Sequence, residues 1–113
     1  MSNYNLSEVK EMAGGDDDFM KVVVQTFLEE IPPDVEAMND AISNDNPTLA
    51  YQYAHKMKPN LQLFGLELME EVKVIESWAK AGKKKDDVPE AATKITKKVN
   101  VASIALKRDF ELE

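Results

Sequence analysis

The sequence predicts an all-α protein, an up-down antiparallel four-helix bundle with a short N-terminal capping helix. Apolar residues recur at steps of three and four along nearly the whole chain. The striped segments are separated by short breaks marked with glycine, proline, asparagine or acidic residues. No stretch alternates with the period of a strand, and none is repetitive or of low complexity. Four long amphipathic segments joined by short links favour antiparallel neighbours in a bundle.

The first, short helix is expected to take Ser7 as its N-cap and to stop at Gly14-Gly15. Asp16-Asp17-Asp18 then offer a cap, and negative charge where a helix dipole favours it. Val24, Leu28, Ile31, Val35, Met38 and Ile42 keep one helical phase through Pro32-Pro33. One kinked helix, or two nearly collinear ones, is therefore expected over residues 16–44, because each proline deletes a backbone donor. Asn46-Pro47 opens the next helix as an N-cap followed by proline at the first helical position. Its stripe is Ala50, Ala54, Met57, Leu61 and Phe64, and Gly65 ends or bends it. A further segment turns Leu68, Met69, Val72, Ile75 and Ala79 inward and stops at Gly82, with Lys83-Lys84-Lys85 complementing its C-terminal dipole. Asp87 and Glu90 have capping-box spacing for the last helix, whose stripe is Ala92, Ile95, Val99, Ala102 and Leu106.

At 113 residues the chain is expected to form one domain over residues 1–113, with one core. Leu112-Glu113 reads as a cloning remnant and is given no weight. There is no cysteine, so disulfides and thiolate metal sites are excluded, and a cytoplasmic location is expected. No apolar run approaches the roughly 20 residues of a membrane helix, and the N-terminus has no signal-peptide pattern. With 21 acidic against 14 basic residues the net charge is −7, which disfavours nucleic acid as a partner. Gly14-Gly15 followed by three acids is neither a phosphate-cradling loop nor a calcium loop. A single histidine without cysteine makes a zinc site an unpromising reading.

That histidine, His55, is where covalent chemistry would lie. Shifting the third stripe by one residue, roughly 100° around the helix, gives Tyr51, His55, Lys58, Gln62 and Gly65. His55 therefore borders the core face, with one ring nitrogen free to reach solvent. Free imidazole titrates near about 6.5, so its neutral, nucleophilic form is available at neutral pH without an added base. Phosphoryl transfer to such a ring builds negative charge on three oxygens, which the ammonium of Lys58, one turn along, is placed to stabilise. Gln62 has the ring, the phosphoryl group or a partner as possible hydrogen-bond acceptors or donors. Gly65 would let a partner approach closely. The bland alternative is an ordinary surface histidine beside a solvated lysine.

Ala54-His55-x-Met57-Lys58 followed by Phe64-Gly65 resembles the signature of histidine-containing phosphotransfer (HPt) domains. In that family an alanine precedes the phosphorylated histidine, a large apolar residue and a lysine follow at plus two and plus three, and a glycine lies at plus ten. Asp18-Phe19-Met20 through Phe27-Leu28-Glu29-Glu30-Ile31-Pro32 is similar to the family's second helix, so the likeness spans roughly residues 16–108. Pro59 is a departure, since the family usually has a small residue there, and Asn60 replaces a common serine.

The resemblance implies a phosphorelay carrier that accepts phosphoryl on His55 from a receiver-domain aspartyl phosphate and passes it to another receiver aspartate. It implies no ATP site and no cofactor on this chain, with Mg2+ on the receiver partner. Expected partners are response-regulator receiver domains and a hybrid sensor histidine kinase, with the chain itself monomeric. Lys56 and Lys58 would face the receiver's acidic pocket, and Tyr51, Pro59, Gln62 and Gly65 would contribute to docking. The alternative is a non-phosphorylated helical adaptor in which Pro59 has displaced the imidazole and only docking survives. A third reading is an unrelated helical interaction domain working through its lysine run or an acidic face.

Overall fold

In a computed structural model, which describes residues 3–112, the chain is all-α. Its elements are α1 (Ser7–Ala13), α2 (Asp17–Ser43), α3 (Pro47–Leu63), α4 (Met69–Ala81), a 3-10 turn (Lys85–Asp87) and α5 (Val88–Asp109). Helix α2 packs on α3, α3 on α4, α4 on α5, and α5 back on α2, while α1 lies against α2. The molecule measures 45 × 25 × 24 Å. At about 1.5 Å per residue, the 27 residues of α2 run most of its length. No described helix is long and apolar enough to cross a membrane.

The stripes become the core. Ala50, Ala54, Met57, Leu61 and Phe64 are fully inaccessible, as are Leu68 and Ile75 from the α4 segment and Ile95, Ala102 and Leu106 from α5. The Phe27 and Phe64 rings meet at a centroid distance of 4.3 Å, joining α2 to the end of α3. In α2, Leu28 and Ile42 lie at the core margin, and Met20, Phe27 and Ala41 take deeper positions. In α4, Trp78 is buried and Ala79, expected in the core, is only half-buried, although 68, 72, 75 and 79 is the tighter helical row.

The helix ends show how local chemistry sets the links. Asp16 caps α2 by accepting from the Phe19 N–H at 3.1 Å, and Asn46 caps α3 by accepting from the Leu49 N–H at 3.1 Å. Two expected caps differ. Ser7 is the first helical residue and not the N-cap, because Asn5 Oδ1 accepts from both the Ser7 N–H and its hydroxyl, at 2.9 and 2.7 Å. The Asp87–Glu90 capping box does not form. The preceding 3-10 turn already gives Asp87 a helical backbone, and Glu90 instead pairs with Lys94 at 3.7 Å. The prolines interrupt no helix: α2 runs unbroken through Pro32-Pro33, and α3 through Pro59.

The N-terminal segment is strapped across one end of the helices. The Asn5 N–H donates to the Phe64 carbonyl at 2.8 Å, and the Tyr4 hydroxyl donates to Asp109. Lys98 Nζ holds the α3–α4 link from α5, donating to the Leu66 carbonyl at 3.1 Å. Leu112 is partly buried against the core, and its N–H donates to the Lys107 carbonyl at 2.9 Å, so it belongs to the folded C-terminal turn. Glu113, the other half of the suspected remnant, lies outside the described residues.

Burial, reinforced by the Asp109 carboxylate, pushes the Tyr4 phenol up to about 12. The Tyr4 and Arg108 hydrogen bonds hold Asp109 below the usual carboxylate range. A raised tyrosine pKa stabilises the fold while the phenol is protonated. That contribution is complete below the ordinary value of 10.0 and is lost as pH rises through about 12. In a tyrosinate absorbance titration, one of the three tyrosines should therefore ionise late, and Tyr4→Phe should remove that late step. The Asp109 contribution has the opposite sense, being present above the usual carboxylate range and lost as pH falls through the depressed value.

Candidate functional site

His55 lies near the middle of α3 with its side chain exposed. Its neighbours Ala54 and Met57 are fully buried. The core stripe thus fixes the rotation of α3, and rotation by one residue would pull Met57, Leu61 and Phe64 out of the core. Each such side chain contributes about 1.5–3 kcal/mol on burial, which is large beside a typical net stability of about 5–15 kcal/mol. The imidazole is held outward by packing that it does not share.

Around the ring the structure assembles groups from two helices. Tyr51, one turn earlier and half-buried, brings its hydroxyl to 3.4 Å from His55 Nδ1, with ring centroids 5.5 Å apart. The same hydroxyl donates to Glu76 Oε2 on α4 at 3.1 Å. Lys80, one turn beyond Glu76, lies 3.7 Å from that carboxylate and 5.3 Å from the centre of the Tyr51 ring. Tyr51 is thus part of an internal network beside the imidazole as well as a candidate for docking.

The other expected residues divide. Lys58 is half-buried one turn beyond His55 and has no ion-pair partner among the described residues. Lys56 is committed within the chain, where its Nζ lies 3.2 Å from Asp34 Oδ1 on α2. Gln62 is exposed two turns away, roughly 10 Å along the axis. Pro59 is exposed inside a continuous helix and leaves the His55 carbonyl without its usual i+4 donor. Gly65 lies beyond the end of α3 at φ +66°, and a Cβ there would meet the Asn5 Cβ at 2.6 Å. Its lack of a side chain is already required inside the molecule, by the left-handed turn and the N-terminal strap.

Sequence reasoning missed Glu76, Lys80 and Asp34. Asp34 left a signal, since it falls in helical phase with Ile31, Val35 and Met38, where a charge is out of place. Glu76 left none beyond its i,i+4 spacing to Lys80. Among the described residues no group of three or more His, Asp or Glu is placed to hold a metal ion.

Asp34 is 7% exposed, and its Oδ2 is buried without a hydrogen-bond partner, so Lys56 is its main compensation. Lys56→Met should destabilise the fold by about 1–3 kcal/mol in urea denaturation, the cost of leaving a buried acceptor unpaired. Adding Asp34→Leu to that variant should recover most of the loss, because replacing both partners removes the stranded charge. Against this geometry, comparison with family models, curated proteins and solved structures finds no match to the chain.

Proposed function

We propose that this chain is a phosphorelay carrier of the histidine-containing phosphotransfer kind, an up-down bundle of α2–α5 capped by α1. The observation that carries the reading is the exposed imidazole of His55 midway along a continuous helix, with the ammonium of Lys58, which has no ion-pair partner among the described residues, one turn away. The four elements that close on one another, α2, α3, α4 and α5, supply the rigid frame. The signature residues resembling that family lie on one helix and the turn that ends it.

In the proposed exchange, a receiver's aspartyl phosphate is brought against the outer face of α3. A ring nitrogen of His55 attacks phosphorus as the bond to the aspartyl oxygen breaks, and the carboxylate departs with the electron pair. Lys58 stabilises the charge on the transferring oxygens. The reverse sequence delivers the group to a second receiver. Magnesium belongs to the receiver, as does most of the catalytic machinery. The partners are response-regulator receivers and a hybrid sensor kinase, met by a cytoplasmic monomer through a modest, transient interface. An adaptor that has lost its acceptor would need Pro59 to displace the imidazole. The continuity of α3 through Pro59 favours the carrier.

A labelled, phosphorylated receiver domain should transfer acid-labile, base-stable label to the wild-type chain and none to His55→Gln. A folded wild type that takes no label from a panel of receivers would sink the carrier reading. Lys58→Ala should slow transfer about tenfold with unchanged thermal stability, and unchanged kinetics would remove Lys58 from the mechanism.

A further inference from the structure

We infer that Tyr51 and Glu76 are positioning residues that hold His55 as its Nδ1–H tautomer, leaving the Nε2 lone pair as the single outward nucleophile. The argument starts from one hydrogen. The Tyr51 hydroxyl has one proton and two neighbours able to accept it, Glu76 Oε2 at 3.1 Å and His55 Nδ1 at 3.4 Å. The carboxylate is both the nearer and the stronger acceptor, because a charged acceptor makes roughly twice the hydrogen bond of a neutral one. With the proton committed to Glu76, the phenolic oxygen is left as an acceptor toward the ring. Only an Nδ1–H satisfies that contact, and a neutral imidazole carrying its proton on Nδ1 has its lone pair on Nε2. A carboxylate acting through a hydroxyl thus selects the tautomer, as second partners do for histidines that ligate metals.

Lys80 flanks the arrangement from the far side, its Nζ 3.7 Å from Glu76 Oε2 and 5.3 Å from the centre of the Tyr51 ring. Glu76 and Lys80 belong to α4, so the contact also ties ring orientation to the α3–α4 packing. This deepens the carrier reading and rests on it for its consequence. When Nε2 forms its bond to phosphorus and the aspartyl P–O bond breaks, the Nδ1 proton stays on the ring, bonded to the Tyr51 oxygen. The product is then the Nε2-phosphohistidine.

The tautomer is measurable without phosphorylation, since the chain has one histidine and gives one imidazole signal set. Long-range 1H–15N NMR on 15N-histidine-labelled full-length chain, at a pH where the ring is neutral, should show predominantly Nδ1–H in the wild type. Tyr51→Phe keeps the ring and removes the oxygen, and should return the histidine to the tautomer mixture of free histidine in the same buffer. Glu76→Gln should move it the same way, and Lys80→Met less. A wild type that is mainly Nε2–H, or a Tyr51→Phe spectrum identical to wild type, would overturn the inference whether or not receivers transfer phosphoryl. With phosphoramidate as the donor, 15N-resolved spectra of the product should show the Nε2 isomer, and Tyr51→Phe should be labelled about tenfold more slowly at equal thermal stability. An Nδ1 isomer in the wild type would equally overturn it. Failure to accept label from every receiver, with the Nδ1–H tautomer intact, would count against the carrier reading alone.

Discussion

The rotational phase of α3 is the constraint on which the rest of the site depends. Four residues of α3, Ala50, Ala54, Met57 and Leu61, and Phe64 at its C-cap are sealed completely from solvent. The largest of them, Phe64, meets Phe27 across the interface with α2. A helix pinned this way has no rotational freedom left, so the residues one step around it are displayed at fixed angles. His55 is displayed because Ala54 and Met57 are not. The small side chains of Ala50 and Ala54 contribute close approach of the backbones, while Met57, Leu61 and Phe64 supply most of the buried area.

Charge is placed around that frame unevenly. The net charge of −7 is spread over the whole molecule, yet α3 carries only cations near its histidine, Lys56 and Lys58, and the nearest carboxylates come from other helices. Asp34 neutralises Lys56 from α2, and Glu76 engages Tyr51 from α4. Lys58, by contrast, has no ion-pair partner among the described residues. The lysine run at 83–85 is drawn into structure as well: Lys85 lies 3.5 Å from Asp45, joining the α4–α5 link to the α2–α3 link. An exposed pair of this kind adds little stability, but it makes that run a weaker candidate for an independent binding patch.

Two features first suggestive of partner contact have intramolecular reasons. Gly65 is needed where the chain turns left-handed under Asn5, and Lys56 is needed by a buried carboxylate. A short motif therefore mixes residues that serve the fold with residues free to serve chemistry. Their one-dimensional spacing does not separate the two. Pro59 is the converse case: a departure from the family pattern, it is absorbed on the exposed side of a continuous α3, at the cost of one backbone hydrogen bond.

What the sequence by itself determined was the helical content, the order of the elements, the core stripes of α3 and α5, the caps at Asp16 and Asn46, and the outward placement of His55. All of these follow from interactions within a few residues, through the 3.6-residue period and the chemistry of helix ends. Tertiary structure decided the rest. Trp78 displaced Ala79 from the core because neighbouring helices, not local spacing, choose which row of α4 is buried. Asn5 took over the start of α1 because the strap fixes it against Phe64. Asp34 found Lys56 across 22 residues of sequence, and Tyr51 found Glu76 across 25. Such contacts have no local signature, since their energy exists only once two helices have packed and brought the side chains within hydrogen-bonding distance.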